Sequence, residues 1–128
     1  MSIVHPIMLE NGWEFRTDFS QCTGDQILGK NSIFEVYLAA DKNITSRASV
    51  PVLWDVKQAT IVSNESSEII RMFNSAFEQI SVNELDLYPR TLRTEIDELN
   101  AMIYDDVNNG VYKTGFATSQ KSYTESCT

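Results

Sequence analysis

The stretch VPVLWDVKQATIVSNESSEIIRMFNSAF, residues 50–77, changes its apolar period part-way along. That change constrains the fold more than any other feature of the chain. Residues 50–54 and 60–63 are short runs rich in β-branched and aromatic residues, bounded by Asp55 and joined by the tight connection VKQA, and they predict a hairpin. After Asn64 the apolar residues Ile69, Ile70, Phe73, Ala76 and Phe77 recur at helical spacing. They predict a helix capped by Asn64 and packed on the hairpin.

The rest of the chain falls around this unit. IVHPIM at residues 3–8 reads as a strand stopped by Pro6, because proline removes a ladder donor. Residues 10–25 are rich in Gly, Asn, Asp, Thr and Ser and read as a loop anchored by Trp13 and Phe15. Ile33, Phe34, Tyr37 and Leu38 place a helix over residues 32–40 with Asn31 or Ser32 as its cap. A polar stretch from Glu78 to Asp86 leads to Tyr88-Pro89, with Pro89 suited to a first helical turn. From there Leu92, Ile96, Leu99, Met102, Ile103 and Val107 keep helical period, and Gly110 supplies a stop. Gly115-Phe116 reads as a turn, and a final helix is expected from about Thr118.

With 128 residues, 42% of them hydrophobic, the chain can bury a core of single-domain size. A formal charge of −8 without any cluster of Lys and Arg sets the overall field against nucleic acid and anionic lipid. Apolar runs are only a few residues long, and the first residues lack the basic and apolar pattern of a signal peptide, so the expected location is cytoplasmic. Cys22 and Cys127 lie far apart, and His5 is the single histidine. Neither a disulfide framework nor a zinc site is expected from such a set.

Two features can carry chemistry. A Val50-Pro51 bond can be cis, in which case Val50 offers its N–H and C=O to an extended peptide, or trans, in which case Pro51 is an ordinary edge residue. Asn64-Glu65-Ser66 open a helix whose free N–H groups and positive dipole end suit a carboxylate, while Glu65 suits an ammonium. An amino acid end group would satisfy both; an acidic first turn of an ordinary capped helix is the alternative.

The order of a proline-led strand, a return strand and a helix opened by Glu-Ser resembles the second half of the thioredoxin-like domain of glutathione transferases. NGW at residues 11–13, SVPVLWD at 49–55, IVSNESSEIIRMFNSAF at 61–77 and IYDDVNNGVYKTGFATSQ at 103–120 resemble the glutathionyl-hydroquinone reductases, the xi-class, omega-like glutathione transferases. The resemblance implies a partial thioredoxin-like α/β domain over residues 1–78, a linker over 79–88 and the start of an all-α domain over 89–128. It implies glutathione as co-substrate, glutathionyl-hydroquinones as substrates and a homodimer as the family's common assembly, with no metal. Positions matching the family's glutathione contacts are Trp13, Arg47, Val50, Glu65 and Ser66, and Tyr112 matches a tyrosine on the quinol side.

In that family a Cys-Pro-Trp cysteine takes glutathione from the conjugate as a mixed disulfide, which a second glutathione resolves. No Cys-Pro-Trp occurs in these 128 residues. The family's nucleophile would precede the first apolar run, and further helices, with another tyrosine and an arginine of the quinol pocket, would follow Thr128. The expectation is therefore an internal stretch that supplies part of a glutathione site without the nucleophile, marginally stable or aggregation-prone in isolation. Cys22, in a polar loop, and Cys127 have no neighbours expected to depress a thiol pKa. A non-catalytic glutathione- or partner-binding module, an omega-like dehydroascorbate reductase or deglycase, and an inactive gene product are the alternatives.

Overall fold

The computed structural model describes residues 1–77, 79–80 and 85–127, so part of the expected linker lies outside the described residues. The chain divides into two compact units, Met1–Ala76 and Phe77–Thr128.

In the first unit, helix α1 spans Ile33–Ala40 and turns Ile33, Val36 and Tyr37 into the core. Ser32 caps it, its Oγ accepting the Glu35 N–H at 3.4 Å, while the Glu35 carboxylate accepts the Asn31 N–H at 3.4 Å. This reciprocal arrangement satisfies two donors at the helix start. Phe34, placed on the apolar stripe by its spacing, is exposed, and Val36 takes the buried position instead.

Strands β1, Leu53–Asp55, and β2, Thr60–Ser63, pair antiparallel, with Trp54 opposite Ile61 and an irregularity between Leu53 and Trp54. The expected hairpin is present, with its first strand starting three residues later than the apolar run. Asp55 shapes the connection: its Oδ1 accepts the N–H groups of Lys57 and Gln58 at 2.8 and 2.9 Å. Helix α1 packs against β2.

Helix α2 spans Ser66–Ser75 and buries Ile69. Its expected apolar stripe is only partly covered, because Ile70 and Phe73 are exposed, and α1 rather than α2 makes the main helix contact with the hairpin. The expected Asn64 cap is also replaced. Glu65 holds the cap position without a side-chain bond to the helix, and the Asn64 amide is engaged elsewhere.

Residues 3–8 do not form a strand. Ile3 makes an isolated bridge to Gly24, Leu9 one to Gly12 and Glu14 one to Ser32. The backbone bonds of this region run to loop partners: the Ile3 N–H donates to Thr23 Oγ1 at 2.8 Å and the His5 N–H to the Glu14 carbonyl at 2.8 Å. With Pro6 between them and no continuous partner, a ladder does not propagate. The loop is nonetheless fixed to α1, since the Phe15 N–H donates to the Asn31 carbonyl at 2.8 Å and the Ile33 N–H to the Trp13 carbonyl at 2.9 Å.

The second unit is helical. Helix α3, Arg93–Ile103, continues through a π-helical turn, Tyr104–Asn108, into α4, Asn109–Gly115; α5 spans Gln120–Cys127 and packs on α4. Pro89 lies ahead of α3, where its carbonyl accepts the Leu92 N–H at 2.9 Å. Tyr88 anchors that start, its hydroxyl donating to the Asp97 carboxylate at 2.6 Å while the Arg93 guanidinium sits 5.0 Å from its ring centroid. Gly110 does not stop the helix. It is buried inside α4 without a positive φ, and the Asn109 N–H bonds the Tyr104 carbonyl five residues back, which carries the chain through by one wide turn.

Candidate functional site

The expected glutathione contacts lie in the first unit, on three segments brought together by α1. Val50-Pro51 is a cis peptide bond, which settles the alternative the residues had left open. Val50 is exposed, and among the described residues its N–H and C=O form no hydrogen bond. A backbone donor and acceptor on one residue, unpaired and reachable, can pair with an extended peptide as a strand neighbour does.

Glu65 and Ser66 are exposed at the start of α2. The Glu65 N–H donates to Ser63 Oγ at 3.2 Å and its carbonyl accepts the Ile69 N–H at 2.9 Å, which fixes the backbone and leaves the carboxylate outside the helix's own bonding. The Ser66 hydroxyl likewise has no partner among the described residues. First-turn N–H groups beside a carboxylate give an acceptor for an ammonium and donors for a carboxylate within one turn of helix.

A knot of hydrogen bonds around the buried Tyr37 holds these two places. The Tyr37 hydroxyl, on α1, donates to the Ser49 carbonyl at 3.1 Å and accepts the Ser49 N–H at 3.3 Å and the Asn64 Nδ2–H at 2.9 Å. Asn64 also donates to Ser49 Oγ at 3.1 Å. Ser49 immediately precedes Val50, and Asn64 immediately precedes Glu65. None of this was legible from spacing, which marked Tyr37 as an apolar core position and Asn64 as a cap.

Arg47 is exposed, two residues before Ser49, and has no ion-pair partner among the described residues. It lines an open hollow of about 810 Å³ together with Glu10, Glu14, Arg16, Phe34 and Glu35. Trp13, Val50, Glu65 and Ser66 do not line that hollow. The Trp13 ring is half-buried in the loop whose carbonyl meets the start of α1.

Tyr112 lies on α4 in the second unit, half exposed, with its ring 5° from parallel to that of Phe116 and the centroids 6.4 Å apart. The two cysteines are in different settings. Cys22 is half-buried and its thiol donates to the Val4 carbonyl at 3.4 Å, whereas Cys127 is exposed on α5. No helix among the described residues is long and apolar enough to cross a membrane.

The chain is 56% identical over 125 residues to the glutathionyl-hydroquinone reductase YqjG of Escherichia coli, a match covering 98% of this chain and 38% of that protein. The glutathione-bound structure of YqjG superposes with a TM-score of 0.87, over 98% of this chain and 41% of that one. The chain belongs to the xi-class, omega-like glutathione transferases. It is also 51% identical to the glutathione S-transferase omega-like 2 of Schizosaccharomyces pombe, over 94% of this chain and 40% of that protein. Glutathione transferase Xi 1 of Trametes versicolor shares 46% identity and a TM-score of 0.86, over 98% of this chain and 44% of that one. No family model matches the chain.

This xi-class chain thus spans about two fifths of the length of the relatives it matches. The likeness to solved glutathione transferases accounts for the two-part architecture, a partial thioredoxin-like α/β unit followed by a helical one. Within that frame Val50 lies three residues ahead of β1, Glu65 holds the cap position of α2 and Ser66 opens that helix.

Proposed function

We propose that this chain carries the glutathione-binding part of a glutathionyl-hydroquinone reductase. The observation that carries the reading is the exposed, unpaired Val50 backbone standing in one unit with the free Glu65 carboxylate, the two tied by the Tyr37 knot. In this reading the Val50 N–H and C=O pair with the cysteinyl unit of glutathione. Glu65 takes the γ-glutamyl ammonium, and Ser66 with the first N–H groups of α2 takes its carboxylate. Arg47 supplies a positive charge for a remaining carboxylate, and Trp13 an aromatic wall.

YqjG bears the name glutathionyl-hydroquinone reductase and has a glutathione-bound structure, which supports the same ligand here. The reaction of the whole enzyme transfers sulfur-bound glutathione: a thiolate attacks the conjugate's sulfur, the carbon–sulfur bond breaks, the hydroquinone leaves with a proton, and a second glutathione releases the first as the disulfide. The Tyr112 phenol hydrogen-bonds a quinol oxygen and stabilises charge on the departing ring. Neither cysteine present serves as that thiolate. The Cys22 thiol is bonded to the Val4 carbonyl, and Cys127 is an exposed residue of α5.

Calorimetric titration of the chain with glutathione tests the reading. Binding is expected without thiol-transfer turnover on a glutathionyl-hydroquinone, and Glu65→Gln and Ser66→Ala are expected to weaken it. Absence of binding, or binding indifferent to both substitutions, overturns the assignment.

A further inference from the structure

We infer that the Tyr37 hydroxyl is the positioning group of the glutathione site, holding the Val50 backbone and the Glu65–Ser66 turn at the separation one tripeptide needs. The inference rests on the reading of the site given above and goes beyond it in naming what sets the site's span.

A phenol has one hydrogen to give and two lone pairs to accept with. Tyr37 uses all three, giving to the Ser49 carbonyl and taking from the Ser49 N–H and the Asn64 amide. Asn64 Nδ2 has two hydrogens and uses both, on the Tyr37 and Ser49 oxygens. The Tyr37 hydroxyl is thus saturated, and Tyr37 is only 3% exposed. Buried, fully bonded polar groups fix geometry because any displacement leaves a donor or acceptor unpaired.

The placement of the knot gives it a role beyond stability. Ser49 is bonded through both its N–H and its C=O, so the peptides on its two sides are each tied to Tyr37, and the one leading into Val50 is held by its carbonyl while its N–H stays open. Asn64 is held by its side chain, which leaves its backbone to lead directly into Glu65. A single hydroxyl on α1 therefore sets two ligand-facing positions that are fifteen residues apart in the chain, while touching neither. Glutathione is read at both of its ends or not well at all, so the separation of the two positions enters its affinity directly.

The test is glutathione titration of the full chain and four variants. Tyr37→Phe keeps the ring and removes the hydroxyl; it is expected to lower affinity about tenfold. Glu65→Gln, which weakens binding in the native background, is expected to cost clearly fewer fold in the Tyr37→Phe background, because the carboxylate is already misplaced. Val36→Ala, in the same buried face of α1 but outside the knot, is expected to lower the melting midpoint and leave affinity within about twofold. Native-like affinity in Tyr37→Phe, or affinity losses that merely track the melting midpoint across both α1 variants, overturns the inference. Should Tyr37→Phe fail to fold, Asn64→Ala cuts the tie to Glu65 while keeping the Tyr37–Ser49 bonds, and additive losses with Glu65→Gln then overturn it. A native chain that does not bind glutathione at all is a separate result, which removes the site reading and this inference with it.

Discussion

The Asp25 carboxylate accepts the Lys30 backbone N–H at 3.0 Å, closing the loop that leads into α1. The same carboxylate accepts the N–H groups of Ile27 and Leu28 and the Ser2 hydroxyl. Burial alone would raise its pKa, but the bonds from Lys30, Ile27, Leu28 and Ser2 outweigh it and the pKa lies below the ordinary 3.8. A depressed folded-state pKa means that the stabilisation is complete above about pH 4 and is lost as pH falls through the folded value. Asp25→Asn is therefore expected to cost about 1–2 kcal/mol at pH 7. The gap between native and variant denaturation midpoints should narrow progressively as pH falls below about 4, and a gap that does not narrow would contradict the account.

Ala59, in the hairpin connection, has φ of 52°. An L-residue in the left-handed region costs about 1–2 kcal/mol, whereas glycine gives up roughly 0.5–1 kcal/mol of chain entropy when ordered. The first effect wins. Ala59→Gly is expected to raise the urea midpoint by an amount equivalent to about 0.5 kcal/mol with an unchanged denaturant slope. A lowered midpoint would show that the turn relaxes when the methyl is removed.

How much could be read from the chain depended on how local the bonding was. The hairpin and α2 were legible because Asp55, the β-branched runs and the Ile69–Phe73 spacing act over a few residues. The strand expected at residues 3–8 was not, since the Ile3 bonds go to Thr23, twenty residues on, and only a single bridge results. Asn64 looked like a cap because nothing near it in sequence announces Tyr37, 27 residues earlier. The π-helical turn was hidden because Met102, Ile103 and Val107 suit an uninterrupted helix, and Gly110 looked like a stop because its composition does not reveal its helical φ. Of the candidate site, Glu65 and Ser66 follow from helix-start chemistry. The group that places them does not, because a tyrosine among aliphatic residues reads as bulk.

Arg47 supplies a test of electrostatics in the proposed site. It is exposed and unpaired among the described residues, in a chain of net charge −8, so an anionic ligand meets a weak local cation in an unfavourable field. Arg47→Ala is expected to weaken glutathione binding by about three- to fivefold at low salt. The difference should shrink as ionic strength rises past about 0.15 M, where the screening length is about 8 Å. A loss independent of salt would place Arg47 in a packing role instead.

Tyr112 separates the quinol side of the proposal from the glutathione side. Its ring runs nearly parallel to Phe116 on an exposed stretch of α4 and the residue just beyond it, which presents a flat aromatic surface with one hydroxyl. If that hydroxyl meets a quinol oxygen, Tyr112→Phe removes one hydrogen bond and nothing else. Loss of about 1 kcal/mol corresponds to roughly fivefold in affinity for a glutathionyl-hydroquinone. Affinity for glutathione itself is expected to be unchanged, because the tripeptide contacts proposed for Val50, Glu65 and Ser66 lie on the other unit. Parallel titrations of both ligands read the contrast directly. An equal loss for the two would move Tyr112 to the glutathione side or to a role in the fold, and no loss for either would remove it from the site.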